Sequence, residues 1–205
     1  MSLDITQIKP LKGQFNCNLF ENATIGLPLT LYYSIEIPLQ IFNSGHEYVS
    51  QPVDTSFAIE WIRFIGKSNE LQEKNWTNLV GKEFDLSYEN ETAEGSIYLG
   101  TEHCQFNSVI IFLSLNDTTF GVELQMAIDF NIDTINLDQG GFVKIKTQID
   151  FEGLVLYDNS SLPSFESIKD PLDIIGKFID LNVYQSTLTK YENPNSEWKQ
   201  LKPKR

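Results

Sequence analysis

The sequence predicts a mainly β protein, either an antiparallel β-sandwich or a strongly curved sheet of about eight to ten strands with one or two short helices. Two observations predict this fold class. Apolar and polar residues alternate with a period of two along several segments, and polar turns rich in Gly, Asn and Asp separate these segments. Such alternation is typical of antiparallel strands that bury one face and expose the other.

The longest alternating segment is TFGVELQMAIDFNI, residues 119–132. Its large apolar residues occupy every even position, whereas a helix would scatter them around its axis. Residues 142–151, FVKIKTQIDF, repeat the pattern with the apolar residues mainly at odd positions. Gly140 and Gly141 between the two segments permit the positive φ angles of a turn. The two segments are therefore predicted to form a long antiparallel hairpin.

Five further segments have strand character. In residues 29–41 the odd positions are apolar, and Pro38 cannot donate a ladder hydrogen bond, so this strand is expected at a sheet edge or at a bulge. Residues 56–66 are apolar on both faces apart from Glu60 and Arg63, which is typical of a strand covered on both sides. The remaining strand segments are residues 82–88, 95–100 and 107–116.

The pattern changes after the last long strand, where a polar loop leads to the sequence DPLD at residues 170–173. Asp170 is the expected N-cap of a short helix, and Pro171 suits the first helical position because its missing N–H needs no partner there. Gly176 weakens the helix that follows. Residues 181–190 are interpreted as a final strand.

The formal net charge is −13, and it is unevenly distributed. We expect residues 1–192 to form a single mainly-β domain and residues 193–205 to form a polar, basic, frayed C-terminal tail. The last seven residues, KQLKPKR, carry four basic and no acidic groups, so the rest of the chain sums to −17. An acidic body of this kind repels nucleic acid and anionic membranes and attracts basic proteins. We therefore expect neither nucleic acid nor a membrane as partner. The charge predicts a basic protein partner, and the alternative is that it only keeps the protein soluble.

The sequence contains no recognisable targeting or membrane segment. No apolar leader opens it, and the most apolar run, VIIFLSL at 109–115, is far shorter than the roughly 20 residues of a membrane span. Two cysteines are too few for a disulfide framework. These features predict a cytoplasmic protein with reduced thiols.

One of the two histidines lies beside one of the two cysteines, in GTEHCQFN at residues 100–107. This segment falls between two predicted strands and is interpreted as a hairpin connection. Adjacent side chains point apart in extended backbone, so His103 is not expected to act as a base for Cys104. A dyad between Cys104 and His46, the other histidine, is an alternative that no sequence feature supports.

No metal or cofactor is expected. The two cysteines and two histidines show no spacing typical of a zinc site. Asp129, Asn131 and Asp133 match the first three ligand positions of an EF-hand loop, but Thr134 replaces the glycine that the loop requires. We interpret these three residues as the polar face of the strand running into a turn. A calcium site of another type, built with Asp138, is the alternative.

The chain is not expected to be an enzyme, because it lacks nucleophile-elbow, dinucleotide-binding and phosphate-binding motifs. The leading hypothesis is an acidic protein-binding module, such as a bacterial immunity-type protein that neutralises a basic toxin. A hydrolase with an unrecognised carboxylate pair is a further alternative. The candidate contacts of the binding module are Glu89, Glu91 and Glu94 of one acidic loop, and Glu123, Asp129 and Asp133 of one polar strand face.

The second hypothesis is a carbohydrate-binding β-sandwich with an aromatic platform. Trp76, in EKNWTN, has polar neighbours and is predicted to be the exposed ring. Trp61 is predicted to belong to the core because its segment is apolar on both faces. Trp198 is predicted to dock the chain end.

Overall fold

The structure, a computed structural model, describes residues 8–43, 52–64, 73–99, 102–128, 131–132, 135–136, 141–156, 170–190 and 199–205. The strands are β1 (Gly13–Asn22), β2 (Leu27–Pro38), β3 (Ser56–Ile62), β4 (Glu83–Leu86), β5 (Glu94–Leu99), β6 (Glu102–Asn116), β7 (Thr119–Ile128), β8 (Asn131–Ile132), β9 (Ile135–Asn136), β10 (Gly141–Leu156), β11 (Thr189–Lys190) and β12 (Lys199–Leu201). The helical elements are α1 (Pro171–Ile175) and 3-10 turns at Ala23–Ile25, Trp76–Leu79 and Leu181–Val183.

Seven strands close into a barrel in the order β1-β2-β3-β5-β6-β7-β10, and β10 pairs with β1. The six other neighbours are antiparallel, while the closing pair is parallel. One parallel pair is unavoidable, because strand direction cannot alternate all the way round a ring with an odd number of members. The mainly β prediction is confirmed, but the fold is a barrel and the predicted sandwich is wrong. Edge-to-edge closure removes the separate second layer that a sandwich needs.

The predicted hairpin is confirmed where its strands are described. β7 and β10 pair antiparallel from Thr119 with Asp150 to Ile128 with Gly141. The even-numbered apolar residues of β7 are all buried in the core: Phe120, Val122, Leu124, Met126 and Ile128. The predicted turn at Gly140 falls outside the described residues.

The longest strands, β6 and β10, change neighbour along one side. β10 pairs with β7 up to Asp150 and then with β12 from Leu154, which lies opposite Leu201. Leu201 is fully buried. The prediction of a frayed tail is therefore wrong for residues 199–201, which extend the sheet through backbone hydrogen bonds.

Phenylalanine rings fill the barrel interior. The Phe15 ring lies with its centroid 5.0–6.0 Å from the rings of five residues contributed by other elements, namely Tyr33, Phe64, Phe112, Phe120 and Phe151. A barrel of this size is normally filled by its own side chains, as here. A binding site is therefore expected on the outer surface or at the strand ends.

Two local predictions for Pro38 and Asp170 have different outcomes. Pro38 is the last residue of β2, which lies between β1 and β3, so this strand is not at a sheet edge. The missing N–H of Pro38 is tolerated because the strand ends there. The helix start is confirmed, since the Asp170 side chain accepts a hydrogen bond from the Leu172 N–H at 2.9 Å and α1 begins at Pro171.

Candidate functional site

His103 and Cys104 lie inside strand β6, so the prediction that they occupy a hairpin loop is wrong. Their side chains nevertheless point to opposite faces, as extended backbone requires. Cys104 is buried in the barrel, whereas His103 is exposed and stacks on Tyr98 of β5 with 4.5 Å between ring centroids. The two residues therefore cannot form a catalytic dyad. His46 lies outside the described residues.

The second cysteine, Cys17, is fully buried on the inner face of β1. Its Sγ lies 3.6 Å from the carbonyl oxygen of Gly153 and 3.9 Å from the hydroxyl of Tyr184. Burial raises the pKa of the Cys17 thiol to about 12. A thiol of this kind stays protonated at neutral pH and is a poor nucleophile. Neither cysteine belongs to a disulfide bond.

Among the described residues, no group of three or more His, Cys, Asp or Glu side chains is arranged to hold a metal ion. Asp129, Asp133 and Asp138, the acidic members of the two calcium hypotheses, lie outside the described part of the chain.

Trp61 and Trp76 have the opposite environments to those predicted. Trp76 is 2% exposed and packs on Phe151 with ring centroids 4.8 Å apart, so the prediction that it is the exposed platform is wrong. Trp61 is 40% exposed, so the prediction that it belongs to the core is also wrong. Trp198 lies outside the described residues.

A β-bulge turns Trp61 outward. Tyr33 and Ile35 of β2 pair with Ile62 and Ile59, so β3 contains one extra residue over this interval. Trp61 has a positive φ of 56°, which tryptophan rarely adopts and which breaks the alternation of the strand. The sequence contains one indication of the bulge. The buried apolar residues occupy odd positions up to Ile59 and even positions from Ile62 onward.

Trp61 lies in a groove on the outer surface, which we call the Trp61 groove. The rings of Phe20 and Tyr32 are roughly perpendicular to the indole, with centroid distances of 5.1 and 5.3 Å. The groove has a volume of about 620 Å³, which is within the usual range for ligand sites. It is lined by Phe20, Leu27, Tyr32, Trp61, Arg63, Tyr88, Glu89, Glu91, Ala93 and Glu94.

The three glutamates of the predicted acidic loop all line the Trp61 groove. Glu89 and Glu91 are exposed in the turn that follows β4, and Glu94 begins β5. Glu91 has a positive φ of 52°, so this residue and Trp61 both hold a conformation that is costly for non-glycine residues. Such backbone outliers are concentrated at binding and catalytic sites.

Arg63 also lines the groove. Its backbone N–H donates to the carbonyl oxygen of Thr92 at 2.8 Å, which ties β3 to the acidic turn. The Nε atom of Arg63 is buried and makes no hydrogen bond within the described part of the chain.

Glu123 is on the outer face, as predicted, but two lysines cover it. Its carboxylate lies 2.7 Å from Nζ of Lys144 and 3.4 Å from Nζ of Lys146, and the residue is 7% exposed. The hydrogen bond from Lys144 is the main cause that lowers the pKa of Glu123 to about 2. Glu123 is therefore neutralised locally and offers no free charge to a partner. Asp129 and Asp133, predicted to share its face, are among the residues that are not described.

A second concave site, which the sequence analysis missed, lies where β10 changes neighbour from β7 to β12. We call it the fork cleft. Its volume is about 940 Å³, and most of its lining is polar or charged. It is lined by Lys12, Asp117, Thr118, Thr119, Asp150, Phe151, Glu152, Gln185, Thr189, Gln200, Lys202, Pro203 and Arg205.

The fork cleft holds neighbouring carboxylates of the kind that the hydrolase alternative requires. Asp150 and Glu152 both line it. Both oxygens of Asp150 are engaged, since Oδ2 lies 2.7 Å from Nζ of Lys12 and Oδ1 accepts a short hydrogen bond from the Thr119 hydroxyl. This arrangement favours a structural role for Asp150 over a role as a free base or nucleophile.

Comparisons with known protein families, with curated proteins and with solved structures find no match to this chain. None of the helices in the described residues is long and apolar enough to cross a membrane.

Proposed function

We propose that the chain is a non-enzymatic, acidic protein-binding module that takes a basic segment of a partner protein into the Trp61 groove. An immunity-type protein that neutralises a basic toxin is a setting that fits this activity. The observation that carries the proposal is the position of Glu89, Glu91 and Glu94 beside an exposed tryptophan in one groove.

The groove offers a basic segment two complementary interactions. The carboxylates attract Lys and Arg side chains, and the face of an exposed indole adds a cation–π attraction of about 0.5–2 kcal/mol. The net charge of −13 increases the rate of encounter with a cationic partner at low salt.

The proposal is tested with a hexa-arginine peptide, titrated by calorimetry at two salt concentrations. Binding is expected to weaken as salt rises, because exposed charges are screened. The triple variant E89Q/E91Q/E94Q should lose at least about tenfold in affinity, equivalent to about 1.4 kcal/mol. Trp61→Ala should weaken binding without the same change in salt dependence.

The matched control is E83Q/D85N/D54N, which removes the same charge at exposed positions outside the groove. It separates groove binding from general attraction to an acidic protein. An equal loss of affinity in the control and in the groove triple variant would contradict the proposal. The native partner is then sought by retention on the wild-type protein and not on Trp61→Ala.

Carbohydrate binding at the same groove is the second candidate, and Trp61 replaces Trp76 as the platform. The exposed indole flanked by the rings of Phe20 and Tyr32 favours it. A glycan array tests whether the groove binds carbohydrate. Binding that is insensitive to salt and is abolished in Trp61→Ala supports a sugar ligand, and an array without wild-type binding contradicts it.

A further inference from the structure

The fork cleft is a consequence of strand pairing. Asp150 is the last residue of β10 paired with β7, and Leu154 is the first paired with β12. Between them, the described residues provide no ladder partner on that side of β10, apart from a hydrogen bond from the Phe151 N–H to the Thr118 carbonyl oxygen at 2.8 Å. β7 begins at Thr119 and β12 ends at Leu201, and the cleft lies in the gap between these two strand ends.

A bulge places Glu152 in this gap. Phe15 and Asn16 of β1 pair with Phe151 and Gly153, so Glu152 is an extra residue of β10. Bulges of this kind redirect side chains and are common beside functional sites. The Gln200 side chain donates a hydrogen bond to the Glu152 carbonyl oxygen at 2.7 Å, which fixes the backbone of the bulge.

Most of the charged groups that line the fork cleft are already paired. Lys12 forms an ion pair with Asp150, and Arg205 Nε lies 3.9 Å from Asp117. The remaining two, Glu152 and Lys202, face the same cleft, and the side chain of neither one makes a hydrogen bond or ion pair within the described residues. The cleft therefore presents one charged side chain of each sign that is not engaged in a hydrogen bond or an ion pair within the described residues.

We propose that the fork cleft binds a small zwitterion, an α-amino acid, whose ammonium group contacts Glu152 and whose carboxylate contacts Lys202. A ligand of one charge could form an ion pair with only one of these two side chains, whereas a zwitterion can form one with each. The proposal is independent of the Trp61 groove, because none of the described residues lines both sites.

The direction of the pKa shift of Glu152 agrees with this assignment. Burial and the neighbouring Asp150 carboxylate raise the pKa of Glu152 above its ordinary value, and Lys202 only partly opposes the shift. The ionised form is thus incompletely stabilised in the unliganded protein. A bound ammonium group supplies the missing opposite charge.

The test uses the wild-type chain labelled with ¹⁵N, with the backbone amides of Gly153 and Gln185 as reporters. Each of the standard L-amino acids is added separately at concentrations up to about 10 mM, which detects dissociation constants up to about 10 mM. At least one is expected to shift the reporters in a saturable manner. Its N-acetyl amide, which lacks both charges, should bind at least tenfold more weakly.

Two charge-removing variants and two controls complete the experiment. E152Q and K202Q should each weaken binding about tenfold or more, while E83Q and K177Q, exposed outside the cleft, should leave it unchanged. Thermal unfolding checks each variant, and K202Q keeps the test valid if E152Q fails to fold. The proposal is overturned if no amino acid shifts the reporters, if the N-acetyl amide binds equally well, or if the controls lose as much affinity.

Discussion

The barrel interior and the Trp61 groove are built from the same kinds of residue but hold them in different ways. Trp76 packs in the interior against Phe151 and Phe120, whereas Trp61 stands beside Phe20 on the outer surface. Polar neighbours in the sequence surround the buried ring, whereas the exposed ring lies in a segment that is apolar apart from Glu60 and Arg63. Sequence neighbours are therefore a poor guide to burial wherever the backbone departs from a regular strand.

The local backbone conformation explains why Trp76 is buried and Trp61 is exposed. Trp76 begins a 3-10 turn that is capped by Asn75, whose side chain accepts a hydrogen bond from the Thr77 N–H at 3.0 Å. The polar neighbours are there to satisfy the end of this turn, and they do not indicate exposure. Trp61 is turned outward by its positive φ in the bulge of β3.

The largest expected effect is that of Trp76→Ala. Removing a buried indole that packs on two phenylalanine rings leaves a cavity, and the free energy of unfolding should fall by about 3–5 kcal/mol. Chemical denaturation of the variant and of wild type measures this difference. A loss of less than about 1 kcal/mol would show that the ring is not part of the core.

The matched change in the groove, Trp61→Ala, should alter the free energy of unfolding by about 1 kcal/mol or less, because much of the ring is exposed. Trp61→Gly should be more stable than Trp61→Ala by about 1 kcal/mol, since glycine adopts positive φ without a steric penalty. The pair is compared by denaturation under the same conditions. An alanine variant as stable as the glycine variant would argue against the bulge conformation.

A smaller effect on stability is expected when Glu123, on the outer face, is replaced. Its pKa in the folded protein, about 2, is lower than the ordinary value of 4.5, so its ion pairs stabilise the fold fully above about pH 4.5. That contribution is lost as the pH falls from about 4.5 to about 2, because the unfolded chain takes up the proton first. The stability difference between wild type and Glu123→Gln should therefore shrink between neutral pH and about pH 3. A difference that stays constant over this range would contradict the assignment.

Much of the regular structure could be predicted from the sequence. The alternation in residues 119–128 and 141–151 depends only on neighbouring positions, and it gave the correct strands and inward faces. The helix N-cap at Asp170 was also predictable, because it depends only on neighbouring residues. The acidic loop of Glu89, Glu91 and Glu94 was identified by charge, but the groove that these residues line was not.

The sequence by itself determined that the protein is mainly β, strongly acidic and built on the β7–β10 hairpin, because strand alternation, turn residues and charge are properties of short segments. Only the tertiary structure decided that β1 and β10 close a seven-strand barrel, since that pairing joins strands far apart in the chain. It also decided which tryptophan is exposed and that Glu152 and Lys202 face one cleft. Both outcomes depend on bulges and strand ends, where one extra residue reverses the direction of a side chain.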